Sequence, residues 1–461
     1  MKLTFHGGAK MVTGANYLLE IGSPSTSSGT TRILIDCGLH QGSNFCERHN
    51  WEPFAYDPKE ISAVFITHAH IDHIGRLPKL VKDGFRGKIY STLPTRDFGE
   101  ILLLDSDHIL EQEAHHFKKP ILFNEGDIRN LMPLWQGVEY HEPVTVGPFT
   151  ATFYNAGHIL GSSFIEVKVK SEKGQEEKII FSGDLGNAPA PIIGSWEIYE
   201  GGATYCLTES VYGDRIHENL PERKEILEDL IEDTVKRRGV LMIPAFAMER
   251  TQELIFEIND LMENGRIPRV PVFLDSPLAI KVTEVYRKYD RYFAHTGSEG
   301  RGDIGHLFKF PNLKMTFTTE ESKSVNDVPP PKVIIAGSGM SHGGRIIHHE
   351  RRYLQDPNST LLVVGYQVAG SLGRQILDGV RSVKILGEAV PVKCRVKAIG
   401  GYSAHADQAQ LLRWLTPMRH TLKKAFIVQG EEGPSSALAQ KMIDELAVEA
   451  VIPNLGEEVV L

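Results

Sequence analysis

The sequence has 461 residues, of which 41% are hydrophobic and 24% are charged, so it can bury a large core and belongs to the globular class. Its length is more typical of two domains than of one, and no segment approaches the ~20 apolar residues of a membrane-spanning helix. The formal net charge of −9 argues against a generally basic nucleic-acid binder, although a few arginines around a divalent metal can make a local positive cleft.

The cellular location is indicated by the N-terminus and by the cysteines. The residues from Met1 to Phe5 lack the basic start and apolar stretch of a signal peptide. The four cysteines have neither the paired spacing of a cysteine zinc site nor the density of a disulfide framework. We therefore expect a soluble cytoplasmic protein with no membrane partner. The cysteines are Cys37, Cys46, Cys206 and Cys394.

Short β-like runs alternate with helical patterns along the whole chain, which is typical of the α/β class. The early strands Asn16–Ile21 and Arg32–Asp36 are joined by a loop rich in Ser, Thr and Gly, so we expect hairpins and a mixed sheet in this part. From about Pro221 onward, longer helix–strand units favour a parallel sheet covered by helices. Further β-like runs are Ala63–Thr67, Lys178–Phe181, Lys332–Ala336 and Ala425–Val428.

Three histidines and one carboxylate directly follow the apolar run Ala63–Thr67. They are His68, His70, Asp72 and His73. Imidazole and carboxylate together suit zinc. A strand end can aim the first two histidines to one side, and a helix beginning near Asp72 can carry that carboxylate and the last histidine to a second position. The cluster therefore predicts two adjacent metal ions; the alternative is a solvated loop that is merely rich in histidine.

Two further candidate ligands each follow a β-like run and a glycine. His158 comes directly after Gly157, and Asp184 comes directly after Gly183. Glycine at these positions lets the backbone approach closely. Taken alone, the two residues would more often be an ordinary surface histidine and a turn aspartate. Together with the first cluster they become candidate metal ligands.

Asp36 follows the run Ile33–Ile35 and is a candidate supporting residue. Its carboxylate could hold a ligand histidine or a metal-bound water molecule in place. The alternative is a turn aspartate before Gly38.

These residues resemble, in order and context, the four motifs of the metallo-β-lactamase superfamily. Downstream segments look like the β-CASP branch of that superfamily, which includes the nuclease subunit of mRNA 3′-end processing, ribonuclease J and shorter bacterial and archaeal ribonucleases. The resemblance covers nearly the whole chain. The downstream segments are Glu209–Arg215, Gly339–Met340, Gly370–Arg374 and Ser403–Asp407.

The resemblance implies a fold of the α/β class with an inserted domain. Residues 1–205 and 386–461 would form a metallo-β-lactamase αββα sandwich. Residues 206–385 would form the β-CASP α/β domain, a parallel sheet flanked by helices, and substrate would run through the cleft between the two.

The implied activity is that of a zinc-dependent ribonuclease in RNA processing or decay, with endonucleolytic cleavage favoured. Two zinc ions about 3.5–4 Å apart can hold hydroxide against phosphorus and shield the phosphate charge, which would leave 5′-phosphate and 3′-hydroxyl ends. By analogy, His68, His70 and His158 would bind one ion, Asp72 and His73 the other, and Asp184 would bridge them. The catalytic candidates are Asp72, Glu209 and His405.

The leaving oxygen needs a proton, and the resemblance supplies His405 paired with Glu209 as the donor. A carboxylate beside imidazole raises its pKa and selects its tautomer, which suits that role. From the sequence alone, His405 could equally be a loop residue and Glu209 a surface charge. Candidate phosphate contacts, from arginine side chains and glycine-rich turns, are Arg250, Ser338, Gly339 and Arg374.

One position departs from the family pattern. Gln429 stands where the family usually has a histidine that completes the shell of the second zinc. A neutral amide oxygen is a poorer zinc ligand than imidazole, so the second site is expected to be weak. Two alternatives to the ribonuclease therefore stay open: a catalytically weak RNA-binding or scaffolding homologue, and a small-molecule zinc hydrolase such as a thioesterase or lactonase. RNA is the expected partner, and self-association into a homo-oligomer is left open.

Overall fold

The computed structural model describes residues 1–22, 29–42, 47–117, 119–170, 176–217, 220–293, 307–365, 367, 370–399 and 402–461. Cys46 lies outside these residues; the three other cysteines are buried and free. The chain divides into two compact units: unit 1, which comprises Met1–Ile216 and His405–Leu461, and unit 2, which comprises His217–Ala404. No helix in the described part is long and apolar enough to cross a membrane.

Strands are numbered along the chain. Those of unit 1 are β1 (Lys2–Phe5), β2 (Tyr17–Ile21), β3 (Thr31–Ile35), β4 (Ala63–Phe65), β5 (Lys88–Thr92), β6 (Trp135–Val138), β7 (Val144–Val146), β8 (Phe149–Asn155), β9 (Ser163–Lys170), β10 (Glu176–Phe181), β11 (Tyr205–Glu209), β20 (Lys424–Val428), β21 (Ala450–Val451) and β22 (Glu458–Val460). Those of unit 2 are β12 (Val240–Pro244), β13 (Val272–Leu274), β14 (Leu313–Met315), β15 (Lys332–Ala336), β16 (Thr360–Val364), β17 (Ser382–Ile385), β18 (Glu388–Pro391) and β19 (Arg395–Ile399).

Unit 1 contains two mixed sheets. The first has the order β22-β1-β2-β3-β4-β5-β6 and is antiparallel up to β3 and parallel from β3 to β6. The second has the order β21-β20-β11-β10-β9-β8-β7, with parallel pairing from β21 to β10 and antiparallel pairing beyond it. The mixed sheet expected for the early part of the chain is confirmed.

The two sheets pack face to face through large apolar side chains. Phe65 of the first sheet lies 6.3 Å from Phe153 of the second, and Phe5 lies 5.3 Å from Phe426, between ring centroids. All four rings are buried in one core, because the strands alternate apolar residues toward the partner sheet. Burial of such aromatic rings is the main source of stability for a sandwich of this kind.

Helices cover the outer faces of both sheets, which gives the expected αββα layers. Helix Leu93–Phe117 contacts β5 and β6 of the first sheet. On the second sheet, Trp414 of helix Gln408–Leu415 and Leu438 of helix Glu432–Lys441 pack in one core with Ile180 and Ile427. The other α-helices in the described part of unit 1 are Ile71–Ile74, Leu77–Lys82 and Glu125–Leu131.

Unit 2 is built on a parallel sheet, as the longer helix–strand units predict. Its order is β14-β13-β15-β12-β16-β19, and every neighbouring pair is parallel. A separate antiparallel hairpin is formed by β17 and β18. The helices are Leu220–Arg237, Arg250–Glu263, Pro277–Lys288, Thr319–Ser324, Ile346–Tyr353 and Leu372–Leu377.

Candidate metal centre

One edge of the sandwich collects polar residues that follow strand ends. Because β3 and β4 are parallel neighbours, Asp36 and the cluster that starts at His68 leave the first sheet at the same edge. The second sheet contributes residues that follow or end its own strands. They are His158 after β8, Asp184 after β10, Glu209 at the end of β11 and Gln429 after β20.

The backbone at this edge is tightly packed, as the glycines in the sequence suggested. Gly183 has φ +53°, and a Cβ at this position would lie 2.6 Å from Cβ of Thr67. Only glycine satisfies both conditions without strain. This close approach brings Asp184 of one sheet against the histidine cluster of the other.

Four of the predicted metal ligands converge. Nε2 of His68 and Nε2 of His158 each lie 3.1 Å from Nδ1 of His70. Oδ2 of Asp184 lies 3.3 Å from the first of these atoms and 3.4 Å from the second. A tetrahedral zinc ion with bonds of ~2.0–2.1 Å has ligands about 3.3 Å apart. The donor set and its spacing therefore fit one zinc ion.

The remaining predicted ligands form a second, looser group around His73. Its Nε2 lies 3.3 Å from Oδ1 of Asp184 and 3.9 Å from Oδ2 of Asp72. The amide nitrogen of Gln429 lies 3.0 Å from the same ring nitrogen and donates to Oδ1 of Asp184 at 2.7 Å. Asp184 thus faces both groups, and Gln429 stands beside the second, where the family resemblance implied it would lie.

Asp36 supports this second group from behind. Its Oδ2 lies 2.7 Å from Nδ1 of His73, which leaves Nε2 of that ring directed toward Asp184. The carboxylate also accepts hydrogen bonds from the backbone N–H and the hydroxyl of Thr67, both at 2.8 Å. A carboxylate that binds the far nitrogen of a ligand histidine sets its orientation and basicity.

The electrostatics of the centre separate the histidines into two kinds. Burial lowers the pKa of His68, His70 and His158, so these rings are neutral and can bind a cation. Burial also opposes protonation of His73, but the surrounding carboxylates outweigh it and raise the pKa of that ring well above its ordinary value. A concentration of negative charge that attracts a proton this strongly would equally attract a metal cation.

The predicted proton donor and its partner are also brought together. Nδ1 of His405 lies 3.3 Å from Oε2 of Glu209 and 3.9 Å from Oδ2 of Asp184. Glu209 is fully buried, and its Oε1 accepts a 2.6 Å hydrogen bond from the N–H of Leu185. Burial raises the pKa of Glu209, with the charge of His405 acting in the opposite direction.

The chain holds His405 in place through its neighbours. Ala406 donates to the carbonyl of Leu185 at 2.7 Å, which bridges this segment to the strand end that carries Asp184. Asp407 caps helix Gln408–Leu415 by accepting from the N–H of Gln410. The side chains of Asp184, Glu209 and His405 are also close enough to hold a cation among themselves, so the geometry allows either role for the histidine.

The four predicted phosphate contacts lie in unit 2, and each has local bonds. The guanidinium of Arg250 donates to the carbonyl of Tyr402 at 3.0 Å. The hydroxyl of Ser338 accepts from two backbone N–H groups, and the carbonyl of Gly339 accepts from Gln367. Arg374 pairs with Asp378 one helical turn away. Their roles in substrate binding stay predictions.

Two polar residues of the centre were missed in the sequence. Thr67 ends the strand run before the histidine cluster and bonds Asp36, while the hydroxyl of Ser182 accepts from the N–H of Glu209 at 3.0 Å. Thr67 directly precedes His68, and Ser182 lies two positions before Asp184, but serine and threonine at strand ends are too common to single out. The structure identifies them through their buried partners.

Three family models match successive parts of the chain. They are a metallo-beta-lactamase superfamily domain over residues 27–188, a Beta-Casp domain over residues 251–376, and a Zn-dependent metallo-hydrolase RNA specificity domain over residues 389–453. A ribonuclease of Thermus thermophilus is 36% identical over 459 residues, which span the whole of both chains. The chain belongs to the β-CASP family of the metallo-β-lactamase superfamily.

Other β-CASP relatives extend beyond this chain. A transcription termination factor of Methanosarcina mazei is 30% identical over 97% of this chain and 70% of its own length, and one of Pyrococcus horikoshii is 30% identical over 96% and 70%. A solved structure of a protein of unknown function from Enterococcus faecalis has a TM-score of 0.56 at 14% identity and covers all of this chain, which supports the fold alone. This β-CASP chain is a metal-dependent hydrolase, and its His/Asp cluster marks the metal site.

Proposed function

We propose that this protein is a zinc-dependent ribonuclease that cleaves RNA internally and leaves 5′-phosphate and 3′-hydroxyl ends. The observation that carries the proposal is the cluster of His68, His70, His158 and Asp184, with Glu209 and His405 directly beside it. Zinc at this cluster would supply an activated water molecule and offset the negative charge of the phosphate. The named ribonuclease relative and the RNA specificity match favour RNA as the substrate.

The protein's own groups divide the remaining work. Asp184 faces both ligand groups and would hold two ions at a fixed separation. Asp36 fixes the ring of His73, and Asp72 lies close enough to complete the second group. His405, held at Nδ1 by the buried carboxylate of Glu209, would deliver the proton to the leaving oxygen from Nε2. The buried free cysteines suit a reducing cytoplasm.

A second candidate is an RNA-binding homologue with little catalytic power. The contact that favours it is the amide of Gln429, which bonds Asp184 where a stronger ligand would complete the second group. This candidate predicts tight RNA binding, one zinc per chain and negligible cleavage.

One experiment separates these candidates. Purified protein is analysed for zinc and incubated with end-labelled and internally labelled RNA, in parallel with a panel of thioesters and lactones. We expect zinc, internal cuts and 5′ ends that can be ligated without prior phosphorylation, all abolished in His70→Ala. Cleavage that survives in His70→Ala, or turnover of the small esters without RNA cleavage, would overturn the proposal. If mononucleotides are the sole products, the protein is an exonuclease and the proposal of internal cleavage is wrong.

A further inference from the structure

Unit 2 contains a groove of about 470 Å³, and none of its lining residues is among the candidate site residues described above. One wall is the outer face of helix Ile346–Tyr353 together with the residues just after it, and the other is strand β18. Asn326 contributes to the lining. The residues on the helical wall are His348, Arg351, Arg352 and Gln355.

The helical wall is a polar stripe with a regular spacing. His348 is followed by Arg351 and Arg352 at three and four positions and by Gln355 at seven, so all four side chains leave the same face. The residues between them, such as His349 and Glu350, are buried. The fold therefore directs the arginines into the groove and keeps the neighbouring carboxylate out of it.

The charge of this region differs in sign from that of the whole chain. The segment Arg345–Lys397 contains nine lysines and arginines and four carboxylates, whereas the chain as a whole has a formal charge of −9. Two of these cations, Arg345 and Arg395, pair with Asp275 and Asp233 outside the segment, and the segment remains positive without them. The hairpin adds a further positive charge beside the strand wall, because the exposed Lys384 of β17 is the register partner of Ala389 of β18. A local excess of cations on an acidic protein attracts polyanions to that place.

The two arginines are held loosely. Arg351 makes a bidentate pair with Glu388 at 2.8 and 2.9 Å, but both side chains are close to half exposed or more, so solvent weakens the pair. The guanidinium of Arg352 lies 5.7 Å from the ring centroid of Tyr353, and no carboxylate in the described part of unit 2 pairs with it. A phosphate can therefore bind the guanidinium groups of both arginines without breaking a buried contact.

We propose that this groove binds the phosphodiester backbone of RNA through residues separate from the candidate metal ligands. The inference rests on the proposed function, since that function brings RNA to the protein, but it concerns binding and not chemistry. Arginine forks match phosphate oxygens in a bidentate way, and contacts of this kind position a strand without reading its sequence. The groove's small number of apolar lining residues argues against an apolar ligand.

The test measures the affinity of a fluorescent single-stranded RNA by anisotropy at several salt concentrations. All variants carry His70→Ala, so that the RNA is not cut. Arg351→Gln combined with Arg352→Gln should weaken binding at ~0.1 M salt by roughly tenfold and reduce the salt slope of log K by about 1.4, or ~0.7 for each lost contact on a single strand. Glu388→Gln should strengthen binding, because Glu388 is the one carboxylate among the described residues that line the groove.

The control is Arg266→Gln. Arg266 lies in the same unit and pairs with Glu228, and its side chain is 48% exposed. It is a close match to Arg351, whose side chain is 45% exposed and pairs with Glu388. We expect binding equal to that of the parent. The opposite effects of the arginine and Glu388 variants cannot both come from damaged folding.

The outcomes distinguish this proposal from the proposed function. If the parent protein binds no RNA, the ribonuclease proposal fails and takes the groove with it. If the parent binds RNA and every groove variant binds equally well, the groove alone is wrong. A loss of the same size in Arg266→Gln would mean a diffuse charge effect and would also overturn the groove.

Discussion

The side-chain nitrogen of Gln429 donates a hydrogen bond to Oδ1 of Asp184 at 2.7 Å and lies 3.0 Å from Nε2 of His73. A rotation of the amide would present its oxygen at the same place, but that oxygen is a weak zinc ligand. We therefore expect one tight zinc per chain and a second that binds only when zinc is added. Gln429→His should tighten the second site and raise activity at limiting zinc.

Zinc titrations of both proteins measure this effect. Gln429 has φ +49°, a conformation that histidine tolerates better than most residues, so the substitution adds little backbone strain. Gln429→Leu is the matched control and should keep only the tight site. Two equally tight sites in the unmodified chain, with no gain from histidine, would mean that another group supplies the ligand.

A second prediction concerns His405. The His405→Ala variant should lower the turnover of RNA by about 10²–10⁴-fold while zinc content stays nearly constant, because the ring would donate a proton and not bind metal. Glu209→Gln should reduce turnover in the same direction, since it removes the charge 3.3 Å from that ring. Turnover and zinc stoichiometry are measured on the same samples, with the exposed His420→Ala as control.

The position of His405 also allows a different role, that of a metal ligand. Asp184, Glu209 and His405 can hold a cation among them, so a loss of zinc in His405→Ala would make the histidine a ligand. A decrease in turnover much smaller than tenfold would count against the proton-donor role.

A third prediction concerns Asp36. Asp36→Asn keeps the size of the side chain but places an amide N–H against Thr67 or His73, both of which use the carboxylate as acceptor. Loss of a carboxylate behind a ligand histidine typically costs 10–100-fold in metal affinity, so the second zinc should weaken by about that factor. Competition with a chelator measures it. Asp57→Asn, at an exposed helix start, should have no effect, and an unchanged second site in Asp36→Asn would contradict the assigned role.

A fourth prediction concerns the pH dependence of stability. Burial raises the pKa of Glu350 to about 8, although the hydroxyl of Ser341 donates to it. A raised pKa in the folded state means that stability is fully present below the unfolded value of about 4.3 and is lost as the pH rises through the folded value. As the pH rises from about 6 to about 9, the ionisation of Glu350 should lower the free energy of unfolding by about 2–3 kcal/mol.

Glu350→Gln removes that titration. The unfolding free energy of the variant, measured with denaturant at both pH values, should fall less steeply than that of the parent, whatever its absolute level. The exposed Glu284→Gln serves as control and should keep the parental slope. Parallel slopes in parent and Glu350→Gln would show that the buried carboxylate does not titrate in this range.

The metal ligands were readable in the sequence where their spacing is local. His68, His70, Asp72 and His73 occupy six positions after one strand, and a density of that kind has few structural explanations. The parallel sheet of unit 2 was equally readable, because each strand and its crossover helix repeat a short pattern. In these cases the interactions that decide the structure lie close together along the chain.

Other features depend on contacts that no local pattern encodes. The contact between Gln429 and Asp184 joins residues 245 positions apart, and its location was inferred only through the family resemblance. The burial of Glu350 and the exposure of its neighbours Arg351 and Arg352 follow from how one helix packs on its sheet. A sequence alone shows a mixed run of charges there, which is ordinarily a solvated face.

The place of β20 in unit 1 determines when the second sheet can be completed during synthesis. This strand pairs with β11 across the second sheet, yet the ribosome synthesises it only after all of unit 2. Until then β11 pairs only with β10, and its other side is an exposed edge that is prone to join other strands, so a stalled chain would be a target for aggregation or for chaperones. Such a chain also lacks His405 and Gln429, so an unfinished polypeptide would carry an incomplete candidate metal centre.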